Sequence, residues 1–212
     1  MLPLLFGGQI GLFVIIIITI IFSLSLHEFG HAAMAKALGD DTAERMGRLT
    51  INPVSHIDPV GLLMVVLIGF GFAKPVPFDV RNIRVAWGSA AVALAGPMMN
   101  LLLAIVSVNV LFHGVDSGSI IVGSGAFELL QMMALINLLL MLFNLIPLGA
   151  LDGHYIMSWL LPRRWAYQYD QLNAQYGNIV FLGLIVLSIL GLPIFSFLMG
   201  FAAKIVPFIT FF

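Results

Sequence analysis

The chain has 212 residues, of which 61% are hydrophobic and 9% charged, with a mean hydropathy of +1.09. That is too few polar residues to cover a soluble domain, so long apolar runs must face lipid and the chain reads as an all-α polytopic membrane protein, sized for one compact bundle. A formal charge of −1 without a basic block gives nucleic acid no footing, and the absence of cysteine excludes disulfides, thiolate metal sites and a cysteine nucleophile.

The first apolar run extends from about Ile10 to Leu38 and ends at Gly39, before Asp40 and Asp41. At 1.5 Å per residue it is long enough to cross a ~30 Å hydrocarbon layer. It does not read as a signal peptide, because no Lys or Arg precedes it and it runs past Leu26 without an A-x-A-like cleavage site. Residues 40–60 are polar and turn-rich, with Asn52-Pro53, Asp58-Pro59, Arg45 and Arg48. Gly61–Ala73 is apolar but only 13 residues long, and Lys74, Pro75, Pro77, Arg81 and Arg84 follow it. Further spans are expected from about Val85 to Phe112 and from about Ile120 to Pro147. A polar stretch with Arg163, Arg164 and Asp170 comes next, and Asn178–Phe212 holds one or two helices around Leu192-Pro193.

Gly61–Ala73 falls short of the ~17 residues a span requires, and three glycines weaken it as a helix. If it crosses, the basic residues fall on both sides of the membrane. If it is re-entrant or interfacial, Lys36, Arg45, Arg48, Lys74, Arg81, Arg84, Arg163 and Arg164 all lie on one side, as the positive-inside rule favours. That topology places the amino terminus outside and the loops at 39–84 and 148–176 in the cytoplasm. It also brings the end of the third span to the face that carries His31.

His27-Glu28-Phe29-Gly30-His31 is an H-E-x-x-H motif. Residues four apart on a helix lie only ~40° apart around it, so both imidazoles can reach one metal ion. Glu28 stands beside them, placed to take a proton from a water on that metal. The alternative is a polar helix end at the water interface. Within a lipid-spanning helix, however, each ionisable group costs roughly 2–3 kcal/mol or more on insertion, and a metal is the natural compensation.

Two histidines leave a zinc site one ligand short. Asp40, Asp41, Glu44, Asp58 and Asp79 fall in cytoplasmic loops, Asp116 in the opposite one, and Glu128 near the outer end of the third span. Asp152 directly follows that span, where Pro147, Gly149 and Gly153 break the helix, and non-helical backbone at membrane depth lines cavities. Spacing alone reads Asp152 either as the third ligand or as a turn aspartate capping the next helix.

The pairing of H-E-x-x-H with Asn144-x-x-Pro147-x-x-x-Leu151-Asp152-Gly153 resembles the site-2 protease family of intramembrane metalloproteases. Gly47–Pro59, Gly71–Pro77 and Ala95-Gly96-Pro97-x-x-Asn100 resemble its compact subgroup without PDZ or CBS modules, and the likeness covers about residues 20–160. It implies a three-span catalytic core with one Zn2+ on His27, His31 and Asp152, buried below the cytoplasmic surface. It also implies Asn144 as a donor to the oxyanion of the tetrahedral intermediate, against the plainer reading of an asparagine bridging helices. His154 stands where many relatives carry a small residue; it is either near the site or on the surface. His56 is an entrance group or a loop hydrogen-bonder, His113 an interfacial residue, and Gly69–Ala73 either approaches substrate as a strand or serves packing.

The expected activity is zinc-dependent endoproteolysis of transmembrane proteins or remnant signal peptides within a prokaryotic cell membrane. A helix in lipid hides its carbonyls in hydrogen bonds, so such a substrate must unwind locally. A catalytically silent relative acting as chaperone would have no need of Glu28. A metal transporter would be expected to show internal repeats and a path of ionisable groups, and neither is visible.

Overall fold

The computed structural model describes residues 1–211. Eight helices of eight or more residues follow in order: α1 Ile10–Ala37, α2 Pro59–Ile68, α3 Gly88–Asp116, α4 Gly125–Asn144, α5 Gly153–Leu160, α6 Arg163–Leu172, α7 Asn178–Ile189 and α8 Ile194–Ile209. Among the described residues the only β pairing is an isolated antiparallel bridge between Ile57 and Ala73, so the architecture is all-α. Three helices, α1, α3 and α4, are long and apolar enough to cross a membrane. The stretch expected to hold one or two carboxyl-terminal helices forms α7 and α8, and its last residue, Phe212, lies outside the described residues.

The three long helices pack on one another, and α8 leans against α3 and α4. Ala104, Val108, Ala134, Leu138, Met141, Ala202 and Ile209 form the core at that junction. Three of these are alanine, which lets backbones approach where lipid offers no hydrophobic drive for helices to associate. Gly30 does the same between α1 and α3: a Cβ there would lie 2.6 Å from Met99 Cγ and 2.8 Å from the Ala95 carbonyl.

Between α1 and α3 the chain folds back on itself. Asp58 caps α2 by accepting from the Val60 and Gly61 amides, Pro59 starts the helix, and Gly69 ends it at φ +81°. The return segment lies against the start of α2. Lys74 N–H donates to the His56 carbonyl at 2.8 Å, and a Cβ on Gly61 would sit 2.0 Å from the Phe72 carbonyl oxygen. The segment from 58 to 73 therefore begins and ends at one place. Residues 148–176, expected as a polar loop, contain α5 and α6 and a π-helical turn, Asn173–Gly177. These helices are only eight and ten residues long, and α6 carries Arg163, Arg164, Gln168, Asp170 and Gln171, so they lack the continuous apolar run that marks a span.

Candidate metal centre

His27 and His31 lie one turn apart on α1, with their rings edge to face and Nε2 atoms 3.0 Å apart. Asp152 meets them from the loop between α4 and α5, its Oδ2 3.2 Å from His27 Nε2 and its Oδ1 3.3 Å from His31 Nε2. Asp152 does occupy the cap position of α5, yet its carboxylate makes no capping hydrogen bond; it faces the imidazoles instead. Room for the pair comes from α3. A Cβ on Gly96 would lie 2.4 Å from His31 Nε2 and 2.7 Å from His27 Cε1, so this position tolerates only glycine.

What these three groups can hold depends on where the imidazole protons sit. His31 Nδ1 lies 2.7 Å from the Val92 carbonyl, which can only accept, so Nδ1 carries the hydrogen and Nε2 a bare lone pair. The tautomer of His27 follows from a longer chain that is anchored at a main-chain carbonyl. Asn137 Nδ2 donates to the Met133 carbonyl and to Ser23 Oγ, each at 2.8 Å, which leaves Asn137 Oδ1 as an acceptor. Asn100 Nδ2 donates to that oxygen at 2.8 Å, so Asn100 Oδ1 in turn accepts, at 2.6 Å, from His27 Nδ1. In the neutral imidazoles the unprotonated nitrogen is therefore Nε2 on His27 as on His31. Two lone pairs and a carboxylate converge with no hydrogen between them, and Asp152 Oδ2 is buried without a hydrogen-bond partner. Such a cluster is self-repelling unless a metal ion or imidazole protons sit among its members. Two imidazoles and one carboxylate are the donor set of catalytic zinc sites, and the Nδ1–H partners are the usual orienting shell.

Glu28 is within reach of the same point: its carboxylate and the two imidazoles lie within 4.8 Å of one another. Its Oε2 accepts from the Val76 N–H at 3.0 Å. In Pro75-Val76-Pro77 the flanking prolines have no N–H, so the one donor of the triplet goes to Glu28. The strap carrying Val76 is tied down by Asp40, a fully buried residue. Its Oδ2 accepts from Asp79 N–H at 2.7 Å, and its Oδ1 accepts from the Asn82 amide at 2.9 Å and from Thr42.

The hydrogen bonds and ring contacts of the other sequence candidates go elsewhere. Asn144 Nδ2 donates to the Leu140 carbonyl of its own helix at 2.9 Å and makes no hydrogen bond to the histidines or Asp152. His56 is buried in its loop, with Nε2 2.6 Å from the Thr50 carbonyl. His154 contacts Tyr155, Tyr169 and, at 3.9 Å, Asp170. His113 is exposed near the end of α3. In the sequence, Gly96 and Asn100 stood within one quoted motif without roles, and Asn137 was passed over. Asparagine in an apolar helix is itself costly in lipid, and that signal could have flagged both Asn100 and Asn137.

The sequence model of Peptidase family M50 matches residues 15–117 and 114–191, which include all of these groups. The chain belongs to Peptidase family M50. Among curated relatives, "Putative zinc metalloprotease YwhC" of Bacillus subtilis is 39% identical over 175 residues, 81% of this chain and 80% of the relative. Rip2 of Mycolicibacterium smegmatis, described in the same words, is 34% identical over 154 residues, 69% of this chain and 57% of its own length. Zinc metalloprotease MJ0392 of Methanocaldococcus jannaschii is 23% identical over 187 residues, 88% of this chain and 46% of its own. No solved structure matches the chain. Family membership and three spanning-length helices make this a membrane-integral peptidase.

Proposed function

We propose that this M50 member is a zinc-dependent intramembrane endopeptidase, cutting peptide bonds in or near the spanning segments of membrane proteins or remnant signal peptides. The observation that carries the reading is the convergence of two unprotonated Nε2 atoms and a carboxylate beside Glu28, on helices long enough to lie in lipid. His27, His31 and Asp152 hold the ion. Zinc held there supplies Lewis acidity, acidifying a water toward neutral pKa and polarising the scissile carbonyl.

The remaining work falls to this chain's own side chains. Glu28 has one oxygen fixed by Val76 N–H; the other takes the proton of the attacking water and delivers it to the leaving amine. Asn144 spends one amide hydrogen on Leu140, which leaves the second for the oxyanion. Gly96 and the Asn100–Asn137 chain keep the imidazoles where they are.

The return of segment 58–73 to its starting point supports a re-entrant or interfacial reading. Eight of the nine Lys and Arg residues then share one face, which we take as cytoplasmic, with the site nearer that side of a prokaryotic cell membrane. The test is cleavage of a tagged single-span protein by the enzyme in proteoliposomes. Glu28→Gln should abolish cleavage while zinc stays bound. Full proteolysis by that variant would overturn the reading, and fragments compared between cells carrying wild type or Glu28→Gln would identify the substrates.

A further inference from the structure

His27 and His31 ride on a long helix, whereas Asp152 stands on a loop, and its place depends on what holds that loop. Within residues 145–152 the internal ties are few: Leu148 N–H donates to the Ile146 carbonyl at 2.8 Å and Leu151 N–H to the Leu148 carbonyl at 3.3 Å. Two side chains reach it from further along the chain. Asn173, first residue of the π-helical turn, grips both main-chain groups of one residue: Gly149 N–H donates to its Oδ1 at 2.7 Å, and its Nδ2 donates to the Gly149 carbonyl at 2.9 Å. The Tyr169 hydroxyl donates to the Pro147 carbonyl at 2.9 Å.

The fit around this grip is close. Gly149 has φ +63°, and a Cβ on Gly177, at the other end of the π turn, would lie 3.0 Å from Gly149 Cα. Loop and turn therefore meet main chain to main chain. Only a carboxamide matches a peptide group with both a donor and an acceptor in this way; an ionised carboxylate has no hydrogen to give. Two residues, Ala150 and Leu151, separate Gly149 from Asp152, and the remaining ties run only to the first turn of α5 (His154 N–H to the Leu151 carbonyl and Tyr155 N–H to the Asp152 carbonyl, each 3.1 Å), so the carboxylate and that turn can shift together once the grip is released. π turns also recur at functional sites.

We propose that Asn173 is a positioning residue of the metal centre, with Tyr169 as its auxiliary: by clamping Gly149 it fixes the loop so that the Asp152 carboxylate meets His27 and His31. This rests on the ligand set proposed above. A segment beyond α5 that forms no hydrogen bond with the metal-binding side chains thereby bears on their geometry.

The experiment uses the full chain in lipid nanodiscs, with zinc affinity measured by chelator competition and ligand geometry by the visible absorption of the cobalt-substituted protein. Asn173→Ala should weaken zinc by about tenfold or more and change the cobalt bands, in line with losing a residue that orients a ligand. Asn173→Asp, which keeps only the acceptor for Gly149 N–H, should fall between it and wild type. In an Asp152→Ala background Asn173→Ala should add no further loss, because its effect passes through that carboxylate. Wild-type affinity and spectrum in Asn173→Ala would overturn the proposal, as would a loss that persists in the Asp152→Ala background. If Asn173→Ala does not fold, Tyr169→Phe decides: about a threefold weakening is expected from one lost hydrogen bond, and no change overturns the proposal. A wild-type protein whose zinc affinity is indifferent to Asp152→Ala would instead overturn the ligand set, and this proposal with it.

Discussion

The two sides of the metal centre are held by different means. On the helix side, His27 and His31 are held from within the bundle through their own imidazoles: Asn100, backed by Asn137, and the Val92 carbonyl fix where the Nδ1 hydrogens point. On the loop side, Asp152 is held through its main chain, by contacts to Gly149 and Pro147 from a later segment. The difference follows from the secondary structure. A helix has already used its own backbone groups internally, so it is gripped through the side chains it carries. A loop has free N–H and C=O groups, and these are what the rest of the protein can grip.

The comparison can be broken most severely at Gly96. Gly96→Ala places a methyl group in the space of both imidazoles, and about 1 Å of displacement is enough to cost ~100-fold in rate. Metal analysis of the purified protein, with thermal unfolding to confirm the fold, should show zinc lost; retention of bound zinc would mean that α1 and α3 can separate freely. Next in size comes the imidazole tautomer. Asn100→Leu should weaken zinc about 10–100-fold, whereas Asn100→Asp, which still accepts from His27 Nδ1, should bind within about threefold of wild type. Equal losses in the two variants would show that shape, not proton placement, governs the site.

A smaller effect is expected one step further out. Asn137→Leu removes the anchor of the chain but not the acceptor on His27. It should cost about 1 kcal/mol of helix-bundle stability and a weaker loss of zinc than Asn100→Leu. If it binds zinc less well than Asn100→Leu, the order of the relay is wrong.

The smallest effect concerns the strap over Glu28 and depends on pH. Burial pushes the Asp40 carboxyl up, but hydrogen bonds from Thr42, Asn82 and Asp79 outweigh it and hold its pKa below the ordinary carboxylate value. A pKa lowered by folding stabilises the strap above the ordinary value, and that contribution fades as pH falls through the lowered one. The hydrogen-exchange protection of the Asp79 amide should therefore drop on acidification, by less than about tenfold. Asp40→Asn should remove the pH dependence; an unchanged acid profile in that variant would assign it to another group.

Much of this was legible before any coordinates. The H-E-x-x-H spacing and the three apolar runs are local patterns, and Asp152 stands where Pro147 and two glycines halt a span. The helices differ from the expected runs by a few residues at their ends: α3 runs on to Asp116, and α4 starts at Gly125 behind its Ser124 cap. What could not be read is contact at a distance. Asn100 and Asn137 are 37 residues apart and meet only once α3 and α4 have packed. Val76 and Gly149 act through main-chain atoms, which no residue type announces. The short helices α5 and α6 lay hidden because eight and ten residues are too few for a span, and Arg163, Arg164, Gln168, Asp170 and Gln171 make α6 read as a polar loop.

The tether on Glu28 has a corollary for sequence drift. Because the partner is a peptide N–H between two prolines, nineteen of the twenty residue types at position 76 can supply it, and only a third proline would take it away. The side chain of Val76 is thus free to follow whatever packs around it, and Glu28 keeps its mooring through changes that would sever any bond made between side chains.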